Sequence, residues 1–342
     1  MNVKGDFSRK LLHWYSLNKR NLPWRGSADP YRIWVAEIIF QQTRIEQGLD
    51  YFHRFMSRFP DLESLAGADE VTVLKLWQGL GYYSRARNMM MAARQLQDEY
   101  GGKFPETEKE LRRLKGIGEY TAACLASVCF SVPSPAVDGN VTRVISRFYA
   151  IDEAPDSQAG KKLVRKFALN LMDQNHPGDF NEAMMDLGAL ICKPAAPLCV
   201  ECPLSGECKA FAVNRVSSYP LKRKSILRRQ RWFNYFLILK GESILIRKRT
   251  EQDVWKGLYE LPVIEGDDPE EFSGLFRSLS DPLYHKLTHQ VIRISFYELT
   301  PEQFIRYENG EEIMVRVDEL DNFPFPKPVS DFLKKMFGRE NH

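Results

Sequence analysis

The feature that most constrains the fold is a change in hydrophobic periodicity near residues 215–230. From Phe7 to about Phe211 the apolar residues recur mostly at helical spacing, and the intervening proline and glycine clusters predict eight to eleven helices. Later segments are rich in aromatic and β-branched residues, which predicts strands. Because single cores stop growing well below 342 residues, we expect a helical domain at 1–215, a linker at 216–230 and a second domain at 231–342.

The linker region is basic although the chain as a whole carries a formal charge of only +3. No acidic residue lies between Lys209 and Gly241, and arginines and lysines crowd the same stretch. A solvated linker and a nucleic-acid contact both fit this pattern. Beyond the linker, WFNYFLILK and SILIRKR flank the dipeptide GE and predict a hairpin. Residues 291–299 and 311–317 predict further strands, and residues 327–337 predict a helix.

Neither a membrane span nor an export signal is expected. Nowhere do 18 apolar residues run together, and the amino-terminal residues carry charges where a signal peptide needs an apolar stretch. A disulfide framework is therefore not expected for the six cysteines. Cys124 and Cys129 lie in the apolar helical run ACLASVCF, where each is predicted to act as a small buried hydrophobic residue.

The other four cysteines form a compact cluster with the spacing C-x6-C-x2-C-x5-C. They are Cys192, Cys199, Cys202 and Cys208. Prolines within the segment prevent a regular helix, so the four thiolates can converge on one metal centre. Zinc usually takes two close pairs, whereas an iron–sulfur cluster accepts irregular spacing, and the pattern favours iron–sulfur. We expect the cluster to fold a loop that presents Lys193 to an anion.

The segment LKGIGEYTAA predicts a tight turn between two helices. Gly116 and Gly118 allow positive φ or close approach, and a helix beginning near Glu119 offers unpaired N–H groups. Such a turn can bind a phosphate, because the positive end of the helix dipole adds to these donors. A plain corner between two helices is the alternative.

Two carboxylates have unusual settings. Glu37 interrupts the apolar run WVAEIIF, which predicts a buried helix and therefore either a structural salt bridge or a general acid that stays protonated near neutral pH. Asp138 follows a proline-stiffened loop and precedes a helix, where capping the helix is the alternative to a catalytic role. Asn140 fits a turn or cap position equally well.

The order of these motifs resembles the adenine DNA glycosylase family of the helix-hairpin-helix superfamily. The resemblance covers essentially the whole chain, and its departures include Phe40 and Lys115. The matching segments, besides the four cysteines, are LPWR (22–25), VAEIIFQQT (35–43), GLGYYSRARN (79–88), LKGIGEYTAA (114–123), AVDGNVTRV (136–144), NEAMMDLGA (181–189) and WKGLYELP (255–262). The resemblance implies a mostly α helix-hairpin-helix glycosylase domain with a [4Fe-4S] cluster loop and a smaller α+β, Nudix-like carboxyl-terminal domain.

The resemblance also implies a function, which is the removal of adenine mispaired with 8-oxoguanine or guanine in double-stranded DNA. In the family, the residue matching Glu37 is the general acid. The residue matching Asp138 stabilises or traps the sugar cation, and Asn140 lies beside it in the sequence. Other positions match the adenine pocket or the side chains that enter the base stack. The pocket positions are Trp24, Arg25 and Glu182, and the base-stack positions are Gln42 and Tyr82.

Position 120 distinguishes two reaction types within the superfamily. Lyase relatives carry a nucleophilic lysine there, and this chain has Tyr120. Since no Schiff base can form at this position, the resemblance implies a monofunctional glycosylase that leaves an intact abasic site. The hairpin at Gly116 and Gly118 is expected to grip a phosphate of the adenine strand.

The second domain resembles the Nudix fold without its magnesium-binding glutamate helix, so no pyrophosphatase activity is expected. In the family its recognition loop reads Phe-Ser-His, and this chain offers Leu287, Thr288 and His289. The hydroxyl and the imidazole are kept while the aromatic ring is lost. An ordinary strand entry is the alternative role for Thr288 and His289.

Two competing functions are an endonuclease III-like lyase for damaged pyrimidines and a non-catalytic DNA-binding or cluster-sensing protein. Tyr120 and the second domain argue against the first, and the presence of both Glu37 and Asp138 argues against the second. We expect a cytoplasmic monomer that associates with the nucleoid through DNA.

Overall fold

The computed structural model describes residues 3–221, 228–266, 272, 275–287, 289–300 and 312–338. The chain forms two compact units, one from residues 1–67 and 88–224 and the other from residues 68–87 and 225–342. The sequence prediction groups residues 68–87 with the helical domain, whereas their contacts lie with the second unit. For example, Gln78 Nε2 donates to Ser330 Oγ at 2.9 Å. Such contacts join residues far apart in sequence, so local periodicity does not encode them.

Twelve α-helices lie within residues 3–221, all of which the structure describes. This number exceeds the predicted eight to eleven because three of the helices have five residues or fewer, too short to give a periodic signal. The helices are α1 (Val3–Asn18), α2 (Pro30–Ile39), α3 (Ile45–Arg58), α4 (Leu62–Ala66), α5 (Glu70–Leu76), α6 (Ser84–Tyr100), α7 (Glu108–Leu111), α8 (Glu119–Phe130), α9 (Gly139–Tyr149), α10 (Gln158–Leu171), α11 (Pro177–Leu190) and α12 (Lys209–Ala212).

The core of the first unit forms where α1, α9, α10 and α11 pack together around Phe7, Leu11, Ile145 and Phe180. Helix α2 packs separately against α3 and α8. Its start is well defined because Asp29 accepts a 3.0 Å hydrogen bond from the Tyr31 amide. The apolar side chains around Glu37 are buried, which confirms the predicted burial of this helix.

The second unit contains nine strands among its described residues. They are β1 (Arg229–Leu237), β2 (Leu239–Lys240), β3 (Ser243–Lys248), β4 (Tyr259–Glu260), β5 (Val263–Gly266), β6 (Arg277–Ser278), β7 (Leu283–Lys286), β8 (Gln290–Glu298) and β9 (Glu312–Arg316). One sheet has the order β5-β1-β8-β6, with β7 also paired to β8, and β1 runs parallel to β8. The other has the order β2-β3-β4, with β9 paired to β3.

The predicted hairpin across the dipeptide GE is only partly correct. Strand β3 pairs with the two residues of β2, while β1 belongs to the other sheet. Both edges of β1 are already occupied by β5 and β8, so β1 cannot also pair with β3. The strands predicted at 291–299 and 311–317 are confirmed by β8 and β9, and the helix predicted at 327–337 by α13 (Lys327–Met336). No helix among the described residues is long and apolar enough to cross a membrane.

Candidate active site and cysteine cluster

A cleft of about 1010 Å³ in the first unit brings together ten of the predicted site residues. Its walls come from α2 and the turn after it, the glycine hairpin, α8, the start of α9 and α11. The ten residues are Trp24, Arg25, Glu37, Gln42, Gly116, Gly118, Tyr120, Asp138, Asn140 and Glu182.

Glu37 lies on the face of α2 that lines the cleft. Burial raises the pKa of its carboxyl to about 7, and the negative charges of Asp138 and Glu182 act in the same direction. Hydrogen bonds from the side chains of Tyr120 and Cys124 oppose this rise because they stabilise the carboxylate. The outcome is a carboxyl that titrates near neutral pH rather than a member of a salt bridge.

Tyr120 lies on the first turn of α8 and faces the same carboxyl. Its hydroxyl lies 3.5 Å from Met185 Sδ and also reaches Glu37. Burial raises the pKa of Tyr120 well above its ordinary value, so the hydroxyl stays protonated and acts as a donor.

Asp138 caps α9 and faces the cleft at the same time. Its side chain accepts hydrogen bonds of 2.7 Å from the Val141 amide and 2.7 Å from Asn140 Nδ2. Burial nevertheless raises the pKa of the Asp138 carboxyl above its ordinary value. Asn140 is held in turn by Arg143 Nη2, 2.9 Å from its Oδ1. A Cβ on Gly188 would lie 2.5 Å from the Asn140 Cβ, so only glycine fits behind this side chain.

The glycine hairpin leads into α8. Gly116 has φ +77, and a Cβ there would lie 2.5 Å from the Asn88 Cβ, so both backbone angle and space require glycine. Gly118 is the N-cap residue of α8 and has open space around it, and no side chain caps this helix. The first amides of α8 therefore have no side-chain acceptor at the N-cap. Lys115 is exposed beside them.

On the opposite wall, Trp24 stacks on Phe40 with ring centroids 4.5 Å apart. The larger phenylalanine at position 40 fits because the neighbouring residue on α3 is Gly48, where a Cβ would lie 2.5 Å from the Phe40 ring. Glu182 accepts a hydrogen bond from the Tyr15 hydroxyl and has Arg25 Nε at 3.5 Å.

Sequence reasoning missed the residue that holds Arg25 in place. The fully buried Asp186 accepts two bonds from Arg25, at 2.5 and 2.8 Å, and one from Arg20 Nε at 2.7 Å. Burial opposes ionisation of Asp186, but these arginines together hold the pKa of its carboxyl below its ordinary value. Asp186 lies one helical turn after Glu182, and this spacing was the available signal.

Gln42 and Tyr82 share a backbone feature that the sequence did not reveal. Gln42 has φ +59 and Tyr82 has φ +48, although neither is glycine. Both side chains are exposed, Tyr82 to 45%. Such conformations cost free energy and concentrate at functional sites. Gln42 lines the cleft of the first unit, and Tyr82 belongs to the second unit.

In the second unit, His289 is exposed and directly precedes β8. Its carbonyl accepts a 3.0 Å hydrogen bond from the Arg229 amide. The Leu287 amide donates to the carbonyl of Gln290 at 2.8 Å, which closes the turn between β7 and β8. Thr288 lies outside the described residues.

The four clustered cysteines all line one cavity of the first unit. Burial raises the pKa of the Cys202 thiol to about 12, and the nearby thiols add to the rise. Within the described residues, no three histidine, cysteine or acidic side chains are arranged to hold a single metal ion. The structure thus shows four thiols that line one cavity.

Arg147, on α9, is buried against this loop, and sequence reasoning did not identify it. Its Nη1 lies 3.3 Å from Cys192 Sγ, and its guanidinium donates to five backbone carbonyls. These carbonyls belong to Cys192, Lys193, Pro194, Val216 and Tyr219. The arginine thus fixes both ends of the cysteine segment and brings a positive charge to the thiols.

Comparison with known proteins gives matches for both units. Residues 35–168 match the family model of the HhH-GPD superfamily base excision DNA repair protein, and residues 234–335 match the NUDIX domain. The adenine DNA glycosylase of Buchnera aphidicola subsp. Schizaphis graminum is 33% identical, and the match covers 96% of this chain and 98% of that protein. The adenine DNA glycosylase of Mus musculus is 42% identical over 60% of this chain and 42% of its own length.

Two solved structures share the helical fold. The structure of a thermostable thymine-DNA glycosylase aligns with a TM-score of 0.57 and 27% identity, and it covers 61% of this chain and 97% of its own. A non-covalent endonuclease III–DNA complex aligns with a TM-score of 0.53 and 22% identity, and it covers 63% of this chain and 99% of its own. These matches confirm the predicted helical fold of the larger domain.

Proposed function

The chain belongs to the adenine DNA glycosylase family, and from this premise we propose that it removes adenine mispaired with 8-oxoguanine or guanine in duplex DNA. The adenine is flipped out of the duplex and its N-glycosidic bond is hydrolysed. The observation that carries the proposal is the presence of Glu37 and Asp138 in one cleft, each with a raised pKa.

Glu37 is the general acid. Adenine leaves poorly as an anion, so a proton must reach a ring nitrogen as the bond breaks. A carboxyl with a pKa of about 7 is both populated in its protonated form at neutral pH and acidic enough to give up the proton. An ordinary glutamate, with a pKa of 4.5, would be almost fully ionised under the same conditions.

Asp138 stabilises the cationic sugar that forms when adenine leaves. Enzymes that cleave glycosidic bonds usually carry two carboxyl groups, one of which is protonated and the other ionised. The hydrogen bonds from Val141 and Asn140 favour the ionised form of Asp138 and fix its orientation. Asn140 therefore acts through Asp138.

The reaction ends at an abasic site. Tyr120 offers a hydroxyl whose pKa is raised by burial, and this group neither attacks the sugar nor forms a Schiff base. Its role is to donate a hydrogen bond to Glu37. Water is the nucleophile that completes the hydrolysis.

DNA is held by backbone groups and by inserted side chains. The amides at the start of α8, next to Gly116 and Gly118, bind a phosphate of the adenine strand. Trp24, Arg25 and Glu182 contact the flipped adenine. Gln42 and Tyr82, with their unusual backbone angles, are assigned to the base stack, where inserted side chains help offset the cost of unstacking. In the second unit, Leu287, Thr288 and His289 are assigned to recognition of 8-oxoguanine.

The four clustered cysteines are assigned to one [4Fe-4S] cluster. Four cysteine thiolates are the usual ligands of such a cluster. The cavity lined by all four thiols and the adjacent Arg147 support this assignment. A cluster bound by these four cysteines would cross-link the loop. We further propose that the protein acts as a monomer in the cytoplasm, where its DNA substrate lies.

The decisive experiment uses a duplex whose end-labelled strand carries adenine opposite 8-oxoguanine or guanine. The products are separated on a gel before and after hot alkali. A cut that is visible only after alkali is the expected result, since base removal without lyase action leaves the strand intact. A cut before alkali would favour the endonuclease III-like lyase, and no cut would favour a protein that binds DNA without catalysis.

Two isosteric variants give the matched controls. Glu37→Gln removes the acid and Asp138→Asn removes the stabilising charge, and both keep the shape of the side chain. Each variant should still bind the mispaired duplex and should lose base release. If either variant releases adenine at the wild-type rate, the role assigned to that residue is wrong.

A further inference from the structure

Two of the residues proposed to contact the flipped adenine, Arg25 and Glu182, are held from the protein interior by two others. These are Tyr15 on α1 and Asp186 on α11, and both are buried. The Tyr15 hydroxyl donates a hydrogen bond to Glu182 Oε2. The Arg25 guanidinium lies over the Tyr15 ring, 5.5 Å from its centroid. One tyrosine therefore contacts both members of the pair.

Asp186 fixes the guanidinium of Arg25. Its two oxygens accept from Arg25 Nη1 at 2.5 Å and from Nη2 at 2.8 Å, and this bidentate pair sets the plane of the guanidinium. The same two oxygens accept from Arg20, through its amide at 3.1 Å and its Nε at 2.7 Å. Each oxygen of Asp186 thus has two donors within the protein, so this carboxylate serves the arginines rather than a substrate.

The bidentate pair leaves Arg25 Nε beside Glu182, whose Oε2 lies 3.5 Å away. An ionised carboxylate only accepts hydrogen bonds, and a guanidinium only donates them. Adenine complements both groups, because its exocyclic amino group donates and its ring nitrogens accept. Since hydrogen bonds weaken steeply when they are misaligned, Arg25 and Glu182 can read the base only from fixed positions.

We propose that Tyr15 and Asp186 are positioning residues for adenine recognition, because they fix Glu182 and Arg25 in the orientation in which this pair contacts the base. The proposal deepens the function proposed above and rests on it. Arginine and glutamate side chains have many rotamers, and a site built from them is precise only when other side chains lock them. Tyr15 and Asp186 lock them without touching the base themselves.

The first test compares single-turnover release of adenine with release of purine, which lacks the exocyclic amino group, from otherwise identical duplexes. Tyr15→Phe removes the hydroxyl that holds Glu182 and keeps the ring under Arg25. We expect it to slow release of adenine about tenfold, as for loss of one hydrogen bond to a charged group, and to slow release of purine about twofold at most. The ratio of the two rates should therefore fall.

Ser8→Ala is the matched control for Tyr15→Phe. Ser8 lies on the same helix, is buried as well, and donates from its hydroxyl to the Leu171 carbonyl. A loss of stability alone lowers both rates together, so Ser8→Ala should keep the wild-type ratio of adenine release to purine release. If Tyr15→Phe also keeps that ratio, its positioning role is refuted.

Two substitutions test Asp186 in the same assay. Asp186→Asn keeps the shape of the side chain and replaces one acceptor of the bidentate pair by a donor, so the ratio of adenine release to purine release should fall about tenfold or more. Asp186→Glu keeps the charge that both arginines need and displaces the carboxylate by one methylene group. It takes the place of Asp186→Asn if circular dichroism shows that the asparagine variant is unfolded. A folded variant with the wild-type ratio would refute the role of Asp186.

Binding in a Glu37→Gln background separates this proposal from the proposed function. That variant should keep the base in the duplex, so its affinities for adenine and purine duplexes report recognition without base release. The preference for adenine should fall about tenfold when Tyr15→Phe is added, and it should be kept when Ser8→Ala is added. An unchanged preference in the Tyr15 variant would refute the positioning role. Absence of base release by the wild-type protein would refute the proposed function, and the binding comparison would still decide the role of Tyr15.

Discussion

The protonation of Glu37 should be visible in the stability of the protein as well as in its activity. The pKa of this carboxyl is about 7 in the folded protein and ordinarily 4.5. Below pH 4.5 the group is protonated in both the folded and the unfolded chain and does not favour unfolding. Between pH 4.5 and about 7 the folded protein binds more protons, so the free energy of unfolding falls as the pH rises. The variant Glu37→Gln cannot ionise and should not show this loss.

The size of the effect follows from the same two values. The gap between 4.5 and about 7, at about 1.4 kcal/mol per pH unit, corresponds to about 3 kcal/mol. Because the side chain is partly exposed to the cleft, water screens its charge, and the expected effect is about 1–3 kcal/mol. Relative to wild type, Glu37→Gln should gain this amount between pH 4.5 and about 7 and gain nothing further above that range.

The assay compares thermal unfolding of wild type and Glu37→Gln at a series of pH values, followed by the circular dichroism of the helices. The difference between the two proteins cancels the other titrating groups, and the value below pH 4.5 serves as the internal baseline for the change of side chain. A difference that stays constant across the whole range would show that Glu37 is not a buried acid. A difference of opposite slope would mean that an unrecognised cation stabilises its ionised form.

Three further substitutions test the parts around this acid. Gly188→Ala should displace Asn140 and lower the single-turnover rate by about 10- to 100-fold while DNA affinity is kept, because a misplacement of about 1 Å at a reacting centre has this effect. In Gly116→Ala the alanine has to adopt φ +77 with its Cβ against Asn88, so the variant should be destabilised by about 1 kcal/mol or more, with a lower melting temperature. It should also bind DNA more weakly. If the variant binds DNA as tightly as wild type at every salt concentration, the phosphate contact is refuted. Arg147→Met leaves buried carbonyls without donors and should destabilise the protein by about 2–4 kcal/mol and lower the iron bound per chain, as measured by metal analysis of anaerobically purified protein.

The sequence alone predicted those structural features that a local residue pattern determines. The apolar residues around Glu37 predicted the burial of its helix. The change in hydrophobic periodicity near residues 215–230 predicted a helical region followed by a strand-rich region. The glycine hairpin was predicted from backbone chemistry, since a position such as Gly116 needs positive φ. The meeting of Glu37 and Asp138 in one cleft was available only through the family resemblance, because it depends on how distant helices pack.

Other features could not be predicted because they depend on partners far away in the chain. The spacing of Asp186 from Glu182 places both on one helix face, but the role of Asp186 depends on Arg20 and Arg25, more than 160 residues away in sequence. Strand β1 pairs with β5 and with β8, the second of which lies about 60 residues later, and these two strands occupy the edges that the predicted hairpin would have used. Cys124 was assigned correctly to the interior, whereas Cys129 on the same helix is only partly buried.

The two roles of Asp138 have a genetic consequence. Asparagine is as good a helix N-cap as aspartate, so its introduction keeps the start of α9 intact while it removes the charge to which we assign stabilisation of the sugar cation. Both codons for aspartate become asparagine codons by a single transition at their first base. Under the proposed mechanism, one point mutation therefore separates an active enzyme from a folded protein that still occupies mispaired sites, and such an allele would shield the mispair from other repair pathways rather than merely fail to repair it.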